Sequence, residues 1–161
     1  CRMSEHEFLT LTREFDAPRE LVFKAWTDPE MAVKWWGPAG FTSKIKTMDV
    51  RVGGKCLSAM IDPDGNEFWS LNEYLEIDPP RKLVTMDCFA NEDGEKLDPT
   101  TFGADESFPK EMRLTITFEE LEGNRTRMTL VHAVSIELAR QIGMIDGWNG
   151  QLDKLEAMFK D

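Results

Sequence analysis

Acid–base chemistry in this chain would have to come from two histidines, His6 and His132, and from carboxylates such as Glu73 and Asp87 that sit in apolar runs. His132 alternates in step with Met128 and Leu130, so a strand there aims its ring at the same interior face. In that position it is either a hydrogen-bonded core histidine or a group that touches a ligand or moves its proton, which makes it the one catalytic candidate. Burial of a carboxyl group favours its protonated form and lets it transfer protons. For Asp87 and Glu73 the plainer expectation is a solvent-facing side chain or a pairing with an arginine such as Arg51. His6 lies near the terminus. The sequence contains no nucleophile elbow, no phosphate-binding glycine loop and no histidine pair at metal spacing. Neither a metal nor a cofactor is expected.

Binding is better represented than catalysis. Five tryptophans and nine methionines are many for 161 residues, and large aromatics with adaptable thioethers suit an irregular apolar pocket as well as an ordinary core. Met60, Trp69, Met112, Met144 and Trp148 are expected on a cavity wall, with Ser58, Asp87 and His132 as the few convergent polar groups such a site needs. Residues 91–107, NEDGEKLDPTTFGADES, hold six carboxylates against one lysine and form a loop too long to be a mere connection. Phe102 and Phe108, in and beside that loop, are expected to close the cavity mouth, since a solvated loop has little other reason to hold them. Cys56 and Cys88 read as small apolar packing residues.

These residues need a scaffold, and the totals allow one domain. The chain is 41% hydrophobic, with 19 basic against 30 acidic residues and a net charge of −11. That sign repels phosphate backbones and anionic membrane surfaces, so nucleic acid is not an expected partner. No apolar run approaches the roughly 18 residues of a membrane span, and the start CRMSEHEF has no signal-peptide core; a cytoplasmic location is expected. Three cysteines, an odd number, fit reduced thiols rather than a disulfide framework. Cys1 and Arg2 precede Met3 and read as a cloning remnant, residues 1–5 as a disordered segment, and residues 6–161 as the domain.

Within it, residues 6–15 alternate as a first strand. Asp16 offers an N-cap before Pro18, and Leu21, Val22, Ala25 and Trp26 follow at helical spacing. Asp28 and Pro29 start a second short helix that ends at Trp35, Trp36 and the breaker pair Gly37–Pro38. From Phe41 to Val134, runs of eight to twelve residues are separated by turn signals at Gly53–Gly54, Asp64–Gly65, Pro79–Pro80 and Gly123–Asn124, an antiparallel meander. In QIGMIDGWNGQLDKLEAMF, residues 141–159, Ile145, Trp148, Leu152, Leu155 and Phe159 mark the buried face of a long final helix. A sheet with one apolar face needs that helix as its cover. The expected fold is α+β: a curved antiparallel sheet of about six to seven strands wrapped round a long C-terminal helix, with two short helices after the first strand.

WWGPAGF at 35–41, MDVRVGGK at 48–55, PDG at 63–65, EIDPPRKLV at 76–84 and DGWNGQLDKLEAMF at 146–159 resemble, in this order, the START-like helix-grip superfamily. Within it the chain is similar to the branch named after the activator of the heat-shock-protein-90 ATPase, over residues 6–160. The resemblance implies a deep cavity between sheet and final helix, used across the superfamily for lipids, sterols, polyketides or other apolar molecules. It also leaves open a polyketide-cyclase-like enzyme working in the same cavity with His132, and a module that interacts with a chaperone ATPase. Gly143, Gly147 and Gly150 are poor helix formers. They are expected either to leave room for the cavity, which places Gly147 among the ligand-binding residues, or to bend the helix; in a third alternative the helix begins only near Asp146, with Gly143 in a preceding loop.

Overall fold

The structure, a computed structural model, describes residues 8–160; His6 and the segment 1–5 lie outside the described residues. Strand β1 (Phe8–Phe15) turns Leu9 and Phe15 inward. Helix α1 (Arg19–Thr27) buries Val22, Phe23, Ala25 and Trp26. Two expectations need correcting here. Pro18, not Asp16, occupies the N-cap and makes no side-chain cap bond, because its fixed φ suits the helix entrance. Leu21 is 38% exposed, and Phe23 takes the inward place. Helix α2 (Pro29–Trp35) begins as expected, with the Asp28 carboxylate accepting from the Glu30 backbone N–H at 3.1 Å.

Six strands follow: β2 (Thr42–Met48), β3 (Lys55–Ile61), β4 (Glu67–Asp78), β5 (Lys82–Ala90), β6 (Met112–Leu121) and β7 (Arg125–Ser135). They form one seven-stranded antiparallel sheet in the order β1-β7-β6-β5-β4-β3-β2. β1 and β2 are therefore opposite edges, and α1 and α2 carry the chain between them. Met112, Leu114, Ile116 and Phe118 of β6, with Met128, Leu130, His132 and Val134 of β7, are buried on one face, the period of two that one-sided burial imposes. Short helix α3 (Ile136–Gln141) leads into α4 (Met144–Met158). α4 sinks Leu152 and Leu155 into the core at 1% and 0% exposure, against Phe15, Trp26, Trp35, Ile116 and Leu130. The α+β helix-grip architecture is as expected from the sequence.

The glycines of the final helix have two different jobs. Gly143 has φ +72° and stands at the N-cap of α4, a left-handed conformation that places it ahead of the final helix, as in the alternative with Gly143 in a preceding loop, and separates that helix from α3. Gly147 and Gly150 face the loop 36–41, not the hollow of the sheet. A Cβ on Gly150 would lie 2.8 Å from the backbone N of Ala39, and one on Gly147 3.6 Å from Pro38 Cγ. The same loop is tied to α4 by Lys154, whose Nζ donates to the carbonyls of Gly37 and Phe41, both at 2.8 Å. Gln151 Oε1 accepts from the Gly37 N–H at 3.1 Å. Gly150 admits a backbone and Gly147 faces the Pro38 ring, so the expectation that Gly147 opens the cavity is corrected.

The acidic segment is partly structured. Asp98 caps a single 3₁₀ turn, Pro99–Phe102, by accepting from Thr100 N at 3.0 Å. Phe108 beneath it is 4% exposed, in a cluster with Leu9, Met112, Val134 and Ala139.

The close approach at Gly150 and the ordinary contact at Gly147 predict opposite responses to alanine. Gly150→Ala should lower the melting temperature, since overpacking typically costs about 1–3 kcal/mol. Gly147→Ala should hold or raise it, through roughly 1 kcal/mol of helix propensity. Calorimetry of the two variants checks this, and equal behaviour would refute the clamp.

Candidate functional site

Alternation along four adjacent strands sends every second side chain to the concave face, and there they meet the underside of α4 without filling the space. A cavity of about 100 Å³ remains. β3 contributes Cys56, Ser58 and Met60, β4 contributes Ser70, Asn72 and Tyr74, β5 contributes Leu83, Thr85 and Asp87, and β6 contributes Leu114 and Ile116. Trp148 and Gln151 of α4 form the roof, with Trp26 and Trp36 closing one side. Trp26 packs edge-to-face on Trp35 at 4.7 Å and lies 6.1 Å from the Trp148 ring.

The cavity is graded. Cys56, Tyr74, Leu83 and Ile116 at its inner end are 3% exposed or less, whereas Met60, Ser70, Asn72, Asp87, Trp36 and Trp148 are only partly buried and mark its outer end. Strand register explains why the polar groups stand together: Asn72 is directly opposite Asp87, Ser58 opposite Ser70, and Tyr74 opposite Thr85. Thr85 Oγ1 lies 3.3 Å from Asn72 Oδ1 and donates to it, which leaves the Asn72 amide hydrogens free to donate. Burial pushes the Cys56 thiol up to about 11 against smaller opposing effects of Tyr74 and Ser58. It also raises the Tyr74 hydroxyl, aided by Cys56 and Asp49. Both therefore stay neutral at ordinary pH.

His132 ties floor to roof. Its Nδ1 accepts from the Trp148 indole N–H at 3.1 Å, so the proton of the neutral ring resides on Nε2. Nε2 is 3.2 Å from Asp87 Oδ2, yet it has no well-aligned hydrogen-bond acceptor; the two atoms are close but poorly directed.

Of the residues expected from the sequence, Ser58, Met60, Asp87 and Trp148 stand on the cavity wall. His132 is 2% exposed and stands behind the wall, reaching the cavity only through Asp87 and Trp148. Trp69 points to the opposite face of the sheet, against Leu57, Ala59 and Ala90, because Ser70, Asn72 and Tyr74 hold the inward parity. Met112 belongs to the neighbouring cluster, with Met144 packed against it. Phe102 and Phe108 pack on Phe89, at 5.1 and 6.1 Å between ring centroids, and neither forms part of the wall. Arg51 pairs with Asp49 at 2.7 Å, not with Asp87 or Glu73. Asn72, Ser70 and Thr85 escape sequence reasoning because polar residues in strands read as solvent-facing, with the parity of Ser58 with Cys56 and Met60 as the available signal; Gln151 escapes it because a polar residue in a helix reads the same way.

Comparison with known proteins places this arrangement. A family model described as "Activator of Hsp90 ATPase homolog 1-like protein" matches residues 16–160. The chain belongs to this family. Among solved structures, a protein of Arthrobacter aurescens is 27% identical to this AHSA1-family chain, with a TM-score of 0.83 over 98% of this chain and 89% of its own. One from Staphylococcus epidermidis is 29% identical, with a TM-score of 0.77 over 95% and 89%. One from Mycobacterium smegmatis is 27% identical, with a TM-score of 0.79 over 99% and 94%. No curated protein sequence matches significantly. The START-like helix-grip fold of the family is that of this chain. Among the described residues no helix is long and apolar enough to cross a membrane.

The raised Cys56 thiol has a consequence for alkaline stability. Between its ordinary 9.0 and about 11 the folded state keeps a proton that the unfolded chain releases. Stability is therefore full below the unfolded value and declines as pH rises through this window. Urea unfolding across it should show that decline, and Cys56→Ala should make it shallower; an unchanged slope would mean the thiol is not buried as described.

Proposed function

We propose that this AHSA1-family protein binds a small amphipathic molecule in the cavity between its sheet and α4. The observation that carries the reading is a mostly apolar hollow with a strip of polar side chains at one end, the usual make-up of a ligand site. Its volume of about 100 Å³ is well above the ~10–15 Å³ that one water occupies on this measure. It is somewhat below the ~150 Å³ of an apolar cavity that takes benzene. A single ring or a short chain matches that space, while a sterol or long acyl chain would require the roof to move. Residues 6–161 act in this reading as a single binding domain.

An acid–base enzyme is less well supported, because His132 has one ring nitrogen engaged by Trp148 and stands behind the wall. A chaperone partner is suggested by the family description alone; a pull-down that recovered a chaperone ATPase would bring that reading forward.

Filling the cavity tests the proposal. Ser70→Phe places a ring at the outer end of the hollow, where the backbone already suits a strand. Binding of the single-ring probe benzyl alcohol, followed by the change in tryptophan fluorescence, should weaken at least about tenfold, a change of about 1.4 kcal/mol, while the melting temperature holds. Unchanged probe binding in a folded variant would refute the cavity as the binding site.

A further inference from the structure

We propose that the ligand is an amine: a short apolar body in the inner end of the cavity and a protonated amino group against Asp87. This rests on the cavity being a ligand site and goes further by naming the head group. Among the described residues Asp87 is the one carboxylate on the wall, and no lysine or arginine lines it. Among the described residues its ion-pair neighbour is His132 Nε2 alone. That imidazole accepts the Trp148 indole N–H on its Nδ1, and its Nε2 makes no well-aligned hydrogen bond to Asp87. The Asp87 side chain is 19% exposed, set at the outer end of the cavity and shielded from most bulk water. An acidic oxygen so placed, with its nearest N–H poorly directed, has lone pairs to offer a donor from the cavity.

The neighbours of Asp87 favour the same chemistry. Trp148, bonded to the same imidazole, presents an aromatic surface on the roof, and aromatic faces attract ammonium groups. A ligand carboxylate or phosphate would meet Asp87 with like charge in a protein whose net charge is −11. A neutral head would cover Asp87 without pairing it, which leaves a desolvated charge uncompensated. An ammonium group answers both difficulties, and Asn72 Oδ1, on the residue directly opposite Asp87, has a second lone pair for one of its remaining hydrogens.

Hexylammonium, hexanol and hexanoate share one apolar body and differ in the head, so they isolate the inference. Each is titrated at physiological salt into the ¹⁵N-labelled full chain, following the indole N–H signals of Trp148, Trp36 and Trp26. The expected order is hexylammonium tightest, by about tenfold over hexanol, with hexanoate weakest. Asp87→Asn should abolish the preference for the amine while hexanol still binds; Asp93→Asn, on the surface loop, should leave it intact. Equal binding of amine and alcohol by the wild type, or a preference that survives Asp87→Asn, overturns the head-group assignment and leaves the cavity standing. Failure of all three probes to shift any of the three indoles overturns the cavity reading as well. Should Asp87→Asn not fold, the wild-type ranking of the three heads decides by itself.

Discussion

The structure depends on how one apolar sheet face is covered. Seven strands offer more concave surface than the 15 residues of α4 can occupy, and the helix is held against only part of it. Leu152 and Leu155 fill the end shared with Phe15 and Leu130. Toward Trp148 the helix rides above the sheet, and there the wall residues of β3 to β6 face a gap. The cavity thus arises from a geometric mismatch, with aromatic rings bracing its sides in place of side chains filling it.

That arrangement holds only if α4 cannot sink into the gap, and the loop 36–41 supplies the restraint. Lys154 is a partly buried ammonium whose donors go to two backbone carbonyls rather than to a carboxylate, and burial lowers its pKa. Gln151 closes the same contact through the Gly37 N–H. A buried polar atom left unpaired costs about 1–3 kcal/mol, so the loop and the helix are fixed in register by the need to satisfy each other. Gly150 permits the approach by having no Cβ to oppose it. The Trp36 side chain at the start of this loop reaches the cavity, so the clamp also sets one of its walls.

The sequence disclosed what depends on local pattern and hid what depends on distant contact. Strands, turns and the final helix follow from alternation and punctuation, and they were legible. Ser58, Met60 and Asp87 share the inward parity of their strands. Trp69 was misplaced because size was weighed above parity: Tyr74 faces inward, and counting back by twos gives Asn72 and Ser70. A register shift between Tyr74 and Glu76 resets the alternation beyond that point, and nothing in the residues announces it. Gly147 and Gly150 answer to Pro38 and Ala39, more than a hundred positions away, so a single helical segment could not distinguish room for a cavity from room for a loop. His132 has the expected inward orientation, but its occupation by Trp148 is a tertiary fact.

The polar strip on the concave face is the feature least explained by folding alone. Asn72, Thr85, Asp87, Ser58 and Ser70 lie on neighbouring strands, where apolar side chains of similar size would remove buried polar surface and stabilise the domain. Thr85 and Asn72 satisfy one another in part, yet the Asn72 amide hydrogens and the Asp87 oxygens still face the cavity. Their position at its outer end lowers the penalty, because partial exposure lets water attend them. Departures from the packing optimum concentrate at functional sites. In the binding reading proposed above, the same strip would make the floor selective: an apolar hollow admits any body of the right size, whereas a carboxylate and an amide distinguish one head group from another. In that reading the inner residues set how much ligand can enter, and Asp87 with Asn72 sets which end of it points outward.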